Sequence, residues 1–190
     1  MENLAYQDPV WEELIDGKVV AMSPRPTINH NIIAGNVFTI FHNFLKGKKC
    51  IPFADGVDLY LSEKDRVIPD MMVVCNSDII KKDGVYGAPD LIVEVLSPST
   101  AKRDRGYKKD LYERSGIKEY WIVDPENRAI EVYLLQENRY ELDNVYSIFP
   151  DYELNRMTPE ELAEIQMEFK CSLYDDLIIS VEEVFEKIFL

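Results

Sequence analysis

The hydrophobic pattern of the chain is densest between residues 89 and 124, where it predicts two strands on either side of a basic helix. The first strand, residues 91–96, is apolar at every position except Glu94, which is typical of a strand covered on both faces. The second strand is residues 120–123. An earlier apolar run, residues 67–74, contains one acid, Asp70. These runs predict the centre of a buried sheet.

The flanking segments predict further strands and helices around this centre. Residues 11–22 predict a hairpin, because Asp16 and Gly17 supply the residues of a tight turn. Residues 29–46 carry apolar side chains at helical spacing, and Gly47 follows as a C-cap. The remaining predictions are a strand at 57–61, an exposed connection at 76–88, antiparallel strands at 129–135 and 138–142, a helix after the N-cap Thr158, a short strand at 169–173 and a terminal helix at 181–190 capped by Ser180.

This order of elements predicts an α+β (or α/β) protein with a mixed central sheet flanked by helices and additional antiparallel strands. A chain of 190 residues fits a single domain, 1–190, with a sizeable core. Within it, the acidic stretch 151–168 is interpreted as an insert.

The net charge of the chain limits the classes of partner that it can bind. The 21 basic and 35 acidic residues give a net charge of −14, which argues against broad, charge-driven binding to nucleic acid. Residues 102–118 nevertheless carry seven basic residues against three acids, so one positive face remains available. No apolar run approaches the roughly 18–20 residues of a membrane helix. The first residues lack the pattern of a signal peptide.

The three cysteines, Cys50, Cys75 and Cys171, are scattered along the chain. Their spacing fits neither a zinc site nor a disulfide framework, which is typical of a reducing compartment. We therefore expect a cytoplasmic protein without disulfide bonds, and we expect Cys75 to lie in the core.

Glu94 and Asp70 are the first candidates for chemistry. Burying a lone carboxylate costs several kcal/mol, so Glu94 must pair with a cation, bind a metal or face a wet cleft. If the two strands are neighbours, both carboxylates converge on one point, and such a pair with a backbone carbonyl and water holds Mg²⁺. The structural alternatives are a turn acid for Asp70 and a salt bridge to the next helix for Glu94.

The basic helix adds a candidate cation, Lys108. Asp104 stands four residues before it on the same side of the helix, and Ser99 or Thr100 is placed to cap the helix. A lysine beside two carboxylates can stabilise developing phosphate charge. Spacing alone, however, favours an exposed Asp104–Lys108 pair.

Longer motifs resemble the Uma-two family. They are Glu-Leu-Ile-Asp-Gly at 13–17, His30 at the start of the first helix, Pro69-Asp70, the stretch 89–100, Asp104-x-x-x-Lys108-x-x-x-Tyr112 and the stretch 116–124. This family groups bacterial endonucleases of the PD-(D/E)XK superfamily, which have the restriction-endonuclease-like fold. The resemblance covers nearly the whole chain, although the segment 151–168 is less typical of the family.

The resemblance assigns roles to individual residues. It implies that Asp70, Glu94 and Lys108 are catalytic and that Asp70, Glu94 and the Val95 carbonyl hold Mg²⁺ or Mn²⁺. The superfamily lysine normally stands at the position of Leu96, so the resemblance implies that Lys108 replaces it from the following helix.

Other residues are predicted to assist or to pack. His30, Glu13 and Asp104 are accessory candidates, although a capping or core-edge position is open for His30. The candidates for contacting DNA are Lys102, Arg103 and Arg105. Tyr112 and Trp121 are expected to pack in the core.

The expected function is therefore a Mg²⁺-dependent endonuclease that hydrolyses DNA phosphodiester bonds as a homodimer. The alternative is a non-catalytic, nuclease-like scaffold that binds DNA or a protein partner. The acidic balance of the chain favours this alternative, whereas the two acids and the lysine favour the enzyme.

Overall fold

The computed structural model describes residues 12–21 and 26–189. Its strands in chain order are β1 (Glu12–Ile15), β2 (Lys18–Ala21), β3 (Ile51–Ala54), β4 (Leu59–Ser62), β5 (Asp65–Val67), β6 (Met71–Val74), β7 (Ile80–Lys81), β8 (Gly84–Tyr86), β9 (Leu91–Val95), β10 (Glu119–Asp124), β11 (Ala129–Gln136), β12 (Arg139–Ser147), β13 (Glu168–Lys170) and β14 (Ile178–Ser180). Its α-helices are α1 (Ile28–Leu45), α2 (Ala101–Arg103), α3 (Lys109–Arg114), α4 (Asp151–Leu154), α5 (Pro159–Glu164) and α6 (Val181–Val184). A short 3₁₀ turn at Ser77–Ile79 precedes β7, and a π-helical turn, Asp104–Lys108, joins α2 to α3.

The central sheet has six strands in the order β12-β11-β10-β9-β6-β3. Only β9 and β10 are parallel within it, and the other neighbours are antiparallel. A second six-stranded sheet has the order β2-β1-β5-β4-β8-β7, and β13 pairs with β14 alone. The predicted α+β class with a mixed central sheet is confirmed.

Both faces of the central sheet are covered, as the run of β9, apolar except at Glu94, predicts. Leu91, Val93 and Val95 face a core shared with α1 and the C-terminal segment. Ile92 and Leu96 face a second core, which the other sheet and α3 complete. Burial on both faces excludes water from β9, so any acid on this strand needs a partner.

The predicted hairpin and first helix are confirmed within the described residues. Asp16 and Gly17 both have positive φ angles, 50° and 73°, which suits the tight turn between β1 and β2. Thr27 caps α1 by accepting the His30 N–H, and Gly47 follows the helix with φ 79°. The ends of the predicted hairpin, residues 11 and 22, lie outside the described residues.

Two predictions about the strands are wrong, and one strand was missed. The run 67–74 is divided between β5 in one sheet and β6 in the other, because Pro69 has no N–H to continue a ladder. The connection 76–88 contains β7 and β8, and Val85 within it is fully buried. The strand β3 was not predicted, because its four residues are too few to show a clear period.

The two C-terminal helices begin at the predicted caps, but the last helix is shorter than predicted. Thr158 and Glu161 form a reciprocal capping box at the start of α5. Ser180 caps α6, which ends at Val184 instead of continuing to residue 190. The side-chain amide of Asn36 donates to the carbonyls of Val184 and Glu186, so α1 holds the chain where α6 stops. The α4–α5 segment is largely exposed.

The expectation of no disulfide bond is wrong, because Cys50 and Cys75 are joined. The β3–β6 ladder pairs Ile51 with Val74, so the next residue on each side is a cysteine and the two side chains meet. Cys171 is buried and free. Among the helices in the described part of the chain, none is both long and apolar enough to cross a bilayer.

Candidate active site

Asp70 and Glu94 face each other on neighbouring strands. The β6–β9 register pairs Met71 with Val93, and one further step places Asp70 opposite Glu94. The Val95 N–H donates to Asp70 Oδ2 at 2.7 Å, which ties the two strand ends together. Because antiparallel strands lie about 4.8 Å apart, the two carboxylates share one small volume.

Asp70 also contacts the first helix. His30 Nε2 lies 3.2 Å from Asp70 Oδ2, and the capped first turn of α1 holds the imidazole there. Burial disfavours the charged imidazole, but the hydrogen bond and the charge of Asp70 outweigh it and raise the pKa of His30. The other ring nitrogen, Nδ1, is buried and has no hydrogen-bond partner among residues 12–21 and 26–189. The pair His30–Asp70 therefore lines the site, and the described part of the chain leaves the His30 Nδ1 atom available for a further hydrogen bond.

Glu94 is almost completely buried, with 3% of its surface exposed. Lys108 Nζ donates to its Oε1 atom at 2.9 Å, and the Tyr112 hydroxyl donates to the same oxygen at 2.6 Å. Burial raises the pKa of Glu94 well above its usual value, and the positive charge of Lys108 opposes that rise. Both contacts use Oε1, so they fix the orientation of the carboxylate.

Lys108 occupies the end of the π-helical turn. Its Nζ atom lies 2.9 Å from Glu94 Oε1 and 2.9 Å from Glu13 Oε1. Burial alone would lower the pKa of Lys108, but the two carboxylates outweigh it and raise the pKa. Both ends of the turn, Asp104 and Lys108, are buried, so the exposed pair that spacing favours does not occur. Such π turns are frequent at functional sites.

Glu13 supports the lysine from the N-terminal hairpin. Its Oε1 atom accepts the Ile68 N–H at 3.2 Å and contacts Lys108, and its Oε2 atom accepts a hydrogen bond from Arg103 at 3.1 Å. Both oxygens are thus occupied by groups of the protein. The geometry makes Glu13 a residue that positions Lys108 and Arg103.

These side chains line one open cavity of about 350 Å³. Its titratable lining residues are Glu13, His30, Asp55, Asp70, Glu94, Arg103, Asp104 and Lys108. Five of them are carboxylates, and two carry a permanent positive charge. Burial raises the pKa of Asp104, although Lys108 partly offsets the effect. The cavity therefore has an excess of negative charge.

The donor atoms fit a hard divalent cation that keeps much of its water. Among the residues that the structure describes, no three His, Cys, Asp or Glu side chains are spaced to hold a metal directly. Two carboxylates are nevertheless enough for Mg²⁺, which takes its remaining positions from water, backbone carbonyls or substrate. The Val95 carbonyl is available, because the continued register places it opposite Pro69, which has no N–H.

The basic residues of the helix differ in their surroundings. Lys102 is exposed, and Arg103 lies in the cavity wall beside Glu13. Arg105 forms ion pairs with Asp124 and Glu131 and is not part of the cavity lining. The structure thus brings Arg103 to the site and holds Arg105 beside β10 and β11.

Two residues of the site were not recognised from the sequence. Asp55 follows β3 and lies in the cavity lining, but β3 itself was not predicted. Tyr112 was expected only to pack, whereas its hydroxyl also binds Glu94. Its position one helical turn after Lys108, in the repeated four-residue spacing from Asp104, was the available signal. Trp121 packs against Phe41, as expected.

The comparisons with known proteins agree with this architecture. Residues 2–169 match the model of the family Uma2, described as "Putative restriction endonuclease". An uncharacterized protein from Synechocystis sp. is 33% identical over 123 residues, and the match covers 64% of this chain and 64% of that relative. The chain thus spans just under two thirds of the length of this relative.

A solved structure shows the same fold. The crystal structure of "a putative nuclease belonging to DUF820" from Anabaena variabilis superposes with a TM-score of 0.68 at 20% sequence identity. The superposition covers 92% of this chain and 89% of that chain.

Proposed function

This chain belongs to the Uma2 family, and from that premise we propose that it is a metal-dependent endonuclease that hydrolyses phosphodiester bonds in DNA. The observation that carries the proposal is the facing pair Asp70 and Glu94 with the Lys108 ammonium 2.9 Å from Glu94. Two acids and a lysine in one cavity are the groups that metal-assisted phosphoryl chemistry needs.

Asp70, Glu94 and the Val95 carbonyl are the proposed ligands of Mg²⁺ or Mn²⁺. Such a cation polarises a phosphoryl oxygen and lowers the pKa of a bound water. Neighbouring side chains orient the two proposed carboxylate ligands. His30 holds Asp70 through Nε2, and Tyr112 and Lys108 hold Glu94 through Oε1. Lys108 also places a positive charge where the phosphate becomes more negative.

The binding of DNA is proposed to use the helix that follows β9. Arg103 lies in the cavity wall, where it can contact an approaching backbone, and its exposed neighbour Lys102 is the proposed second contact. Arg105 remains a candidate, although its two acidic partners compete with phosphate. A homodimer would allow both strands of a duplex to be cut. A cytoplasmic location remains part of the proposal because of the DNA substrate alone, since the Cys50–Cys75 disulfide removes the argument from the cysteines.

The decisive test is cleavage of supercoiled plasmid and end-labelled duplex in Mg²⁺ or Mn²⁺, with EDTA as the blank. The Asp70→Asn variant should lose activity by about 100-fold or more, because one cation ligand and its charge are removed. The matched control is Asp175→Asn, an exposed acid outside the cavity lining. Equal cleavage by the wild-type protein and Asp70→Asn would contradict the proposal.

The alternative of a non-catalytic scaffold has one observation in its favour, since the Lys108 ammonium already binds two carboxylates of the protein. Titration with Mn²⁺ and with duplex DNA separates the two functions. An enzyme should bind both, whereas DNA binding without Mn²⁺ binding or cleavage would favour the scaffold.

A further inference from the structure

Asp55 adds a third carboxylate beside Asp70 and Glu94, at the end of the neighbouring strand β3. The β3–β6 register pairs Ala54 with Met71, and one further step places Asp55 opposite Asp70. Since the β6–β9 register places Asp70 opposite Glu94, three acids lie side by side across three neighbouring strands. Asp55 is exposed and lines the same cavity as the other two.

The other two acids of this row have cationic partners, whereas Asp55 has no ion pair among the residues that the structure describes. Lys108 binds Glu94, and His30 binds Asp70. Although Asp55 is exposed overall, the cavity desolvates part of its carboxylate, and this desolvation together with the charge of Asp70 raises the pKa of Asp55. A cation bound beside Asp55 would offset both effects, because it favours the ionised carboxylate.

The polar atoms around Asp55 are not saturated by the protein. His30, which is only 8% exposed and lines the same cavity, finds no partner for its Nδ1 atom within the described ranges. The Val95 carbonyl faces Pro69, which cannot donate a hydrogen bond. Both observations point to further polar groups, such as ordered water around a cation.

We propose that Asp55 is a third acidic residue of the cation site and accepts hydrogen bonds from the hydration water of a cation held by Asp70 and Glu94. This inference rests on the proposed cation site of the nuclease. Asp55 acts through water because no three acidic or histidine side chains in the described ranges are spaced to hold a metal directly. Such outer partners commonly change metal affinity by about 10–100-fold.

The β3 strand is built to hold Asp55 in place. It is an edge strand, with β6 as its neighbour in the sheet. The Cys50–Cys75 disulfide closes one end of the β3–β6 ladder, and Asp55 and Asp70 occupy the other end. A covalent link at one end opposes a slip of register, which would move Asp55 away from Asp70.

The test is Mn²⁺ binding by isothermal titration, together with melting temperatures in EDTA and in Mn²⁺. The variants are Asp55→Asn, Asp70→Asn as the loss of a ligand, and Asp175→Asn as a charge-matched control. The Asp55→Asn variant should bind Mn²⁺ at least tenfold more weakly. Its melting temperature in EDTA should equal or exceed that of the wild-type protein, because the repulsion from Asp70 is relieved.

The possible results separate this inference from the proposed function. Unchanged Mn²⁺ affinity in Asp55→Asn, with affinity lost in Asp70→Asn, would overturn only the role of Asp55. A lower melting temperature of Asp55→Asn in both EDTA and Mn²⁺, without a change in affinity, would make Asp55 a structural residue. Absence of Mn²⁺ binding by the wild-type protein would overturn the proposed cation site as well.

Discussion

The Lys108 ammonium lies 2.9 Å from the Oε1 atom of Glu94, and both side chains are almost completely buried. This contact joins the helix after β9 to the strand itself. The adjacent positive charge offsets the free-energy cost of burying the carboxylate, which explains why an otherwise apolar strand contains Glu94. The pair therefore supports both the fold and the proposed chemistry.

Removing only the cation of this pair should be severely destabilising. In Lys108→Met, Glu13 and Glu94 lose their buried partner, and we expect a loss of about 3–5 kcal/mol in the free energy of unfolding. Urea denaturation measures this loss. Lys102→Met, at an exposed position of the same helix, should change stability by about 0.5 kcal/mol or less. The double variant Lys108→Met/Glu94→Gln should recover part of the loss, and a strictly additive result would contradict the coupling.

The hydroxyl of Tyr112 should contribute to stability and to cation binding independently of the packing of its ring. Tyr112→Phe keeps the edge-to-face contact with Tyr120 but removes the donor to Glu94. We expect a stability loss of about 1–3 kcal/mol and weaker Mn²⁺ binding, because Glu94 loses a fixed orientation. Tyr140→Phe is the control, since its hydroxyl donates to the Ile117 carbonyl away from the cavity. Equal Mn²⁺ affinity in the two variants would show that the Tyr112 hydroxyl does not contribute to cation binding.

Asp65 should make stability depend on pH. Burial disfavours its charge, but the Asp16 N–H, Ser62 and Arg114 outweigh burial and lower the pKa of Asp65. A carboxylate with a lowered folded-state pKa stabilises the protein above about pH 3.9, the usual unfolded value, and loses that contribution as pH falls through its folded pKa.

The Asp65→Asn variant tests this dependence. It should destabilise the protein by about 1–3 kcal/mol at pH 7, because a charged acceptor is lost. Denaturation between pH 7 and pH 3 should show the difference from wild type shrinking at the acidic end. A constant difference over this range would show that the ionised form contributes nothing.

The disulfide should stabilise the edge of the central sheet. It closes a sequence separation of 25 residues, for which chain entropy predicts about 3.5 kcal/mol. Melting with and without a reductant measures this contribution, and amide exchange in β3 shows where it acts. The Cys50→Ser/Cys75→Ser variant should melt lower and become insensitive to reductant. Cys171→Ala should remain sensitive, because that cysteine is free.

The strongest sequence signals were local ones, and the structure follows them. The run of β9, apolar except at Glu94, predicts a strand buried on both faces, and Asp16-Gly17 predicts the first turn. The predicted Thr158 and Ser180 caps mark the starts of their helices, because a cap depends on residues only two or three positions away. The cap predicted for the basic helix is wrong, because Thr100 stands at its N-cap without a side-chain capping hydrogen bond. The requirement that Glu94 find a partner also follows from sequence, since burial of a lone charge is too costly.

Tertiary structure alone decided which groups meet. Strand order and register, which depend on contacts between distant residues, place Asp55, Asp70 and Glu94 in one row and bring Cys50 to Cys75. Spacing within the helix favoured Asp104 as the partner of Lys108, whereas packing of the helix against β9 buries Lys108 between Glu13 and Glu94. Local sequence determines the hydrophobic period of an element and where the element begins and ends. The partner of a buried charge depends on the fold, because a charged group loses its water only when the elements pack together.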